Sequence, residues 1–340
     1  MTAAPAARAR PARVPLSRAL FAALADGHWR TGTDLANRHG VTRAAVWKAV
    51  RSLRALGLTV DAHASQGYRL AHAIAPLDAR AIQTAIDSAQ RPAIRRGEVL
   101  WSVASTNANL LRRTDLPVGR GDYLLAEYQT AGRGRQARRW HAAPGDAICL
   151  SLAWNYPALP RDAGALSLAA GVAVLRVLRR LGTAGPQLKW PNDLVVDGGK
   201  LCGILTELRA EAGGTAQVVI GVGLNVAVSR ALRTQIVASG TQPVSLADLG
   251  LRADRNAIAG ALIGELIQAL RVFERSGLQS FADEWSRADA LLDRPVDVHG
   301  ATRTMTGIAA GIDADGALRV RTAQGVQRFV SGDVSVRVHP

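Results

Sequence analysis

The sequence predicts an α+β protein in three parts: an N-terminal winged helix-turn-helix, a central mixed-sheet domain and a small C-terminal β-barrel. Three observations carry this. Residues 16–72 read as three short helices and then two strands around a polar turn. From about Leu77 to Ala290, strand-like runs alternate with helical stretches, and several strands join through turns too short for a parallel crossover. From about Leu291 to Pro340 only short strands recur, separated by His299-Gly300, Asp315-Gly316 and Gly332-Asp333.

The first part begins with helical apolar spacing over Leu16–Leu24, which stops at Asp26-Gly27. Thr33 is expected to open a second helix, Thr33–His39, with Leu35 and Ala36 inward and Gly40 as its stop. Thr42 caps a longer helix whose apolar positions are Val46, Val50, Leu53 and Leu56, and Gly57 ends it. Leu58-Thr59-Val60 and Gly67–Leu70 are the expected wing strands. The third helix offers Arg43, Trp47, Lys48, Arg51 and Arg54. A recognition helix of this shape puts side chains at base edges and basic groups on phosphates. Residues 1–72 hold eleven Arg/Lys against Asp26, Asp34 and Asp61, so a polyanionic partner such as DNA is expected. A small helical protein-interaction domain is the alternative. Residues 1–15, rich in Ala, Arg and Pro without an apolar stretch, read as a disordered tail.

A linker, Ala71–Pro76, leads into the central part, residues 77–290. Its expected strands are Leu124–Glu127, Ala147–Trp154, Val195–Val196, Lys200–Glu207 and Val218–Gly223. Its expected helices are Asp78–Ser88, Asn107–Arg113, Leu166–Arg180, Arg255–Ser276 and Leu278–Trp285. Five strands follow in residues 291–340: Pro295–His299, Arg303–Ala309, Ala317–Thr322, Val326–Val330 and Val334–Val338.

Composition narrows the class. Of 340 residues 48% are hydrophobic and 20% charged, which fits a soluble chain with a sizeable core. The apolar runs Ala147–Trp154 and Leu168–Leu175 fall short of the roughly 18 residues of a membrane span. Cys149 and Cys202, both in apolar strand-like runs, cannot build a disulfide framework or a closed metal site, so a reducing, cytoplasmic setting is expected.

All but three of the 42 basic residues are arginine, which makes each lysine a chemical choice. Lys189 and Lys200 flank one hairpin-like segment, Lys189-Trp190-Pro191-Asn192-Asp193 to Lys200-Leu201-Cys202-Gly203-Ile204. That suggests an oxyanion or phosphate site; two solvated surface lysines are the alternative. Gln129–Trp140 adds Gly132 and Gly134, four arginines (Arg133, Arg135, Arg138, Arg139) and the flat face of Trp140. The glycines permit close backbone approach, and the guanidinium forks match phosphate or carboxylate oxygens. Neither the P-loop nor the dinucleotide glycine pattern is present. An exposed nucleic-acid-binding loop stays open as the alternative.

Ser105-Thr106-Asn107, Gly132-Arg133-Gly134-Arg135, Lys189–Asp193, Lys200–Leu205 and Gly221-Val222-Gly223-Leu224-Asn225 occur in an order that resembles the biotin–protein ligases. With a winged helix in front and a small barrel behind, residues 16–338 resemble the bifunctional bacterial type, a biotin operon repressor and biotin–[acetyl-CoA-carboxylase] ligase in one chain. The resemblance implies a class II synthetase-like central domain and an SH3-like barrel. It implies ATP and Mg²⁺ as cofactors and biotin as substrate. It also implies a biotin carboxyl carrier protein and operator DNA as partners, a homodimer when adenylate is bound, and no membrane. Lys200, Arg133 and Arg135 would be catalytic. Ser105, Thr106, Asn107, Gln129, Gly134 and Gly203, with Arg133, Arg135 and Lys200, would hold biotin. Arg138, Trp140, Lys189, Asn192 and Asn225 would hold ATP or adenylate. Asp193 would bind Mg²⁺ or only fix the turn, and Arg43, Trp47, Lys48 and Arg51 would touch DNA. Trp190 and Pro191 read as a packed strand end. Residues 226–243 would fold over adenylate without any aromatic ring. Against this stand a ligand-sensing transcription factor without ligase activity, a lipoate-type protein ligase, and an enzyme whose winged helix does not regulate.

Overall fold

The computed structural model describes residues 15–210, 214–251, 254–300, 304–331 and 334–338. The tail expected over 1–15, apart from Pro15, lies outside the described residues, as do Arg303 and the Gly332-Asp333 turn. The chain divides into two compact units between Pro76 and Leu77.

The first unit contains α1 (Leu16–Leu24), α2 (Gly32–His39), α3 (Arg43–Ala55) and the hairpin β1 (Val60–His63) and β2 (Gly67–Leu70). Leu20, Leu24, Leu35, Val46, Val50, Leu53 and Leu70 are buried and form its core. Thr42 caps α3 by accepting from Ala45 N at 3.2 Å. The cap of α2 is Thr31 rather than Thr33. Thr31 Oγ1 accepts from Asp34 N at 3.1 Å and donates to the Asp34 carboxylate at 2.7 Å, so the threonine three residues before an acid wins the cap. Gly40, at φ 62°, makes the left-handed turn between α2 and α3. The first wing strand starts at Val60, two residues later than expected, because pairing with β2 runs only from Val60↔Leu70 to His63↔Gly67.

The second unit opens with α4 (Ala79–Ala85), β3 (Ile94–Val103), α5 (Thr106–Leu111), β4 (Gly121–Gln129), β5 (Ala147–Tyr156) and α6 (Leu166–Arg180). It continues through β6 (Gln187–Lys189), β7 (Asp193–Val196), β8 (Gly199–Ala210), β9 (Ala216–Asn225), α7 (Arg230–Ala238), α8 (Arg255–Ser276) and α9 (Gln279–Ala288). These strands form one seven-stranded sheet in the order β3-β4-β5-β9-β8-β7-β6. Only β3 and β4 pair in parallel, so the sheet is mixed. Two edge strands, β3 and β6, were not expected: Arg95, Arg96 and Gly97 break the apolar pattern of one, and the other is only three residues long. Helix α7 occupies part of the segment expected as loop, capped by Ser229 Oγ accepting from Leu232 N at 3.3 Å.

The strands β10 (Pro295–His299), β11 (Thr304–Ile312), β12 (Leu318–Thr322), β13 (Gly325–Phe329) and β14 (Ser335–Val338) form an antiparallel sheet in the order β13-β12-β11-β10-β14. Their inward residues Val296, Val298, Ala309, Leu318 and Val320 join the same apolar core as α6, α8 and the central sheet. Trp190 is buried there, and its Nε1 donates to Gly316 O at 3.0 Å. Helix α8 is long and apolar enough to cross a membrane by length and composition, although most of it is buried inside this unit.

Strand alternation decides where the site lies. On β5 and β9, Ile148, Leu150, Leu152, Trp154, Val218, Ile220, Val222 and Leu224 enter the core with α6 and α8. The intervening residues are small: Cys149, Ser151 and Ala153 on β5, and Gly221 and Gly223 on β9. Gly203 of β8 lies opposite Gly223. A face without large side chains leaves space, and α5 covers only part of it, over Ala153 and Val219.

Candidate active site

That space is a cavity of about 720 Å³. It brings together Ser105, Thr106, Asn107, Gln129, Arg133, Gly134, Arg135, Arg138, Trp140, Lys189, Asn192, Asp193, Lys200, Gly203 and Asn225. Every residue that the sequence assigned to small-molecule binding thus lines one wall or another.

The hairpin aims Lys200. Asp197 and Gly198, at φ 48° and 78°, form the two-residue turn between paired Val196 and Gly199. Lys200 then opens the returning strand, and its Nζ lies 2.7 Å from Asp193 Oδ1 and 6.0 Å from the centre of the Trp140 ring. Trp140 rests on the glycine floor. A Cβ on Gly223 would meet its indole at 2.5 Å, and one on Gly203 would meet Lys200 Cε at 2.9 Å. Large side chains at either position would fill the place now held by the indole and the lysine stem.

The arginine loop is a small hairpin of its own. Gly134 N donates to Arg138 O at 2.7 Å and Trp140 N to Gly132 O at 3.0 Å. A Cβ on Gly132 would meet Trp140 O at 2.6 Å, so this close approach needs glycine. Arg133 reaches Glu207 at 2.9 Å. Arg135 Nη1 contacts Asn192 Oδ1 at 3.5 Å, and its Nη2 is buried without a hydrogen-bond partner among the described residues. Buried donors are normally satisfied, so this one marks a place for an anionic oxygen.

At the other end the polar groups form a scaffold. Ser151 Oγ donates to Thr106 Oγ1 at 2.7 Å or to Asn107 Oδ1 at 2.5 Å. Asn107 Nδ2 donates to Glu207 at 2.9 Å and Leu205 O at 3.1 Å, and Gln129 Oε1 accepts from Thr106 N at 2.8 Å. Asn225 Nδ2 donates to Lys200 O at 3.1 Å and Val244 O at 3.0 Å, so its amide is engaged with the main chain. Asn192 Nδ2 likewise donates to Ile204 O at 2.6 Å.

The electrostatics favour anions. Burial pushes the Lys189 ammonium below its usual range; Asp193 pulls it back up, while Lys200, Arg337 and Arg138 add to the lowering. Burial and neighbouring Arg138 also lower Arg135, again opposed by Asp193. Five cations around one carboxylate leave positive charge for a ligand to neutralise. Asp193, which the sequence offered as a Mg²⁺ ligand or as a residue that only fixes the turn, is paired with Lys200, and no group of three His, Cys, Asp or Glu side chains gathers among the described residues.

Sequence reasoning missed Ser151 and Glu207, which orient Asn107 and Arg133, and Arg337, which lines the cavity from β14. Alternation of small and large residues on β5 and β9 was the available signal for Ser151. Nothing local signals Arg337, which the fold carries there from the far end of the chain.

In the first unit, Arg43, Trp47, Lys48 and Arg51 are exposed on one side of α3. The Arg51 guanidinium lies 4.8 Å from the Trp47 ring centre. Arg54 is exposed as well, but its Nη2 donates to Val60 O at 2.6 Å, so it docks onto the wing.

Comparisons with known proteins place the chain in a family. The model of the biotin/lipoate A/B protein ligase family matches residues 99–225, an HTH domain matches 18–69, and a biotin protein ligase C-terminal domain matches 291–337. The bifunctional ligase/repressor BirA of Salmonella typhimurium is 38% identical over 95% of this chain and 98% of its own length. The chain belongs to the bifunctional ligase/repressor family of biotin protein ligases. The chain is also similar to the biotin–[acetyl-CoA-carboxylase] ligase of Mycobacterium tuberculosis, at 37% identity over 76% of this chain and 95% of that one. The biotin protein ligase of Aquifex aeolicus, solved with biotin and ATP, shares the fold at a TM-score of 0.60 and 23% identity, covering 72% of this chain and all of that one.

Proposed function

We infer that the protein is an ATP-dependent ligase that activates biotin as biotinyl-5′-AMP, transfers it to a lysine of a biotin carboxyl carrier protein, and represses a biotin operon through its winged helix. The carrying observation is that Lys200 and the arginine loop converge over the glycine floor of one cavity. A carboxylate and a triphosphate repel each other, and fixed cations aimed at both remove that barrier.

A biotin carboxylate oxygen attacks the α-phosphorus of ATP; the bond to the β-phosphate oxygen breaks and pyrophosphate leaves. The carrier amine, once neutral, attacks the carbonyl of the mixed anhydride; AMP leaves and the amine loses its proton. Lys200 exchanges its pairing with Asp193 for the biotin carboxylate and the α-phosphate, where negative charge develops. Arg135 and Arg133 take the phosphate oxygens. Ser105, Thr106, Asn107 and Gln129 present biotin's head group to the scaffold, and Gly134 and Gly203 let backbone and ring approach. Trp140, Arg138, Lys189, Asn192 and Asn225 hold the nucleotide, with Asn192 and Asn225 acting through the main chain they fix. Positioning replaces covalent catalysis.

Asp193, freed as Lys200 turns to the substrates, would offer a carboxylate to Mg²⁺, which would offset the charge of the triphosphate. The free buried thiols Cys149 and Cys202 fit a reducing cytoplasm.

The deciding assay supplies ATP, Mg²⁺, a carrier domain and labelled biotin or lipoate. Label from biotin alone is expected on the carrier lysine, and transfer only from lipoate would overturn the reading. For repression we propose that adenylate favours a homodimer placing two α3 helices on two half-sites. Gel shifts on the operator region are expected to tighten with adenylate. Arg51→Ala should weaken binding and reduce the salt slope by about one. Binding indifferent to adenylate would remove the regulatory half.

A further inference from the structure

The segment from Val226 to Asp248 ends against the catalytic lysine. Lys200 N donates to Gln242 O at 2.7 Å, and Val244 N donates back to Lys200 O at 2.9 Å. Val244 packs so near Gly199 that a Cβ there would meet its Cγ2 at 2.3 Å. Ile236, Ser239, Gly240, Thr241, Gln242 and Pro243 also line the cavity. The same short stretch therefore walls the nucleotide end and buttresses the main chain that aims Lys200.

No aromatic ring is available in residues 226–243 to pin that stretch. One side chain does so instead. Arg233, on α7, donates from Nη1 to Pro243 O at 2.7 Å and from Nη2 to Asp248 at 2.6 Å. Asp248 in turn accepts from Ser245 N at 2.9 Å and Ser245 Oγ at 2.8 Å. The guanidinium thus closes the loop from α7 to Pro243 and ties it to the turn beyond. Charge-assisted hydrogen bonds are the strong kind, although this ion pair is half exposed, at 36% for Arg233 and 41% for Asp248.

We propose that Arg233 is a positioning residue for adenylate formation: its clasp on Pro243 O and Asp248 holds the segment closed and keeps the Lys200 backbone in register. The proposal rests on the ligase reading of the cavity and adds to it a polar latch. Breaking the clasp lets Gln242–Val244 leave Lys200, which opens the nucleotide wall and loosens the aim of the lysine together. Lysine at 233 could satisfy one acceptor but not both in a fixed fork.

Two measurements on the full chain test this. Amide exchange without ligand reads the clasp itself: in Arg233→Ala the Lys200 and Val244 amides should exchange faster, while strand amides such as Leu152 do not. Release of preformed biotinyl-5′-AMP and the kcat and KM for ATP read its consequence. Arg233→Ala should release adenylate roughly tenfold faster and raise the KM for ATP, as expected for losing a partly exposed charged hydrogen bond. Arg233→Lys should recover part of the effect. Asp248→Asn should shift release the same way, and the double variant should add little. Unchanged exchange at Lys200 and Val244 overturns the clasp. Faster exchange with unchanged adenylate release overturns its positioning role. Wild-type protein that forms no adenylate would sink the ligase reading, and the exchange data would still decide the clasp.

Discussion

The two faces of the central sheet are made by the same strands and do opposite work. On β5 one face carries Ile148, Leu150, Leu152 and Trp154, all buried against the helices. The other carries Cys149, Ser151 and Ala153. On β9, Val218, Ile220, Val222 and Leu224 oppose Gln217, Val219, Gly221 and Gly223. The first face supplies apolar burial and close packing, at about 25 cal/mol per Å² removed from water. The second omits side chains, so Trp140, Asn107 and Lys200 can lie where a core would otherwise be. A two-residue period thus separates stability from chemistry within one strand.

Substitutions on the two faces should fail in different ways. The largest effect belongs to the packed face: Trp154→Ala should cost on the order of 3–5 kcal/mol of stability by calorimetry or denaturant, with the folded fraction still forming adenylate normally. Lys200→Ala should do the reverse, lowering adenylate formation by roughly 100- to 1,000-fold with little change in Tm. A stable Trp154→Ala variant, or a near-normal Lys200→Ala rate, would break the division. Gly223→Val tests the floor between them. Its first added atom falls 2.5 Å from the Trp140 ring, so the indole must leave, and the KM for biotin should rise without a large loss of Tm.

The smallest effect lies where the faces meet, at Asp146 just before β5. Burial pushes its carboxyl up to about 6, against the hydrogen bond from Ser229 N and the charge of Arg255. A raised acid means that the folded state prefers the protonated form. Its burial penalty therefore builds from about pH 3.8, is complete above about pH 6, and is relieved as pH falls back toward 3.8. Asp146→Asn should stabilise the protein by on the order of 2 kcal/mol at pH 8 and by almost nothing below pH 4, measured as Tm against pH. Equal stabilisation at both pH values would show that charge is not the cause.

Much of this arrangement was legible from local pattern. Helices α6 and α8 have the expected bounds, Leu166–Arg180 and Arg255–Ser276, because long amphipathic periods are hard to misread. The Asp197-Gly198 turn was legible because both residues tolerate positive φ, and it delivered Lys200 to the start of a strand. Edge strands β3 and β6 were not, since an edge needs apolar residues on fewer sides and β3 keeps two arginines and a glycine. Helix α7 was hidden in a segment with weak helical character and appears only once Ser229 caps it and Arg233 ties it down.

By itself the sequence determined most of the elements, though not β3, β6 or α7, and with them the hairpin that carries Lys200, the anion-seeking arginine loop and the surface cations of α3. Those depend on spacing and on turn residues, which act over a few positions. Tertiary structure alone decided that Lys200 pairs with Asp193, that Arg54 serves the wing, and that Glu207 and Arg337 belong to the site. It also decided which small residues become a floor. Pairing between strands distant in sequence sets those neighbours, and no local period encodes which strand will lie beside which.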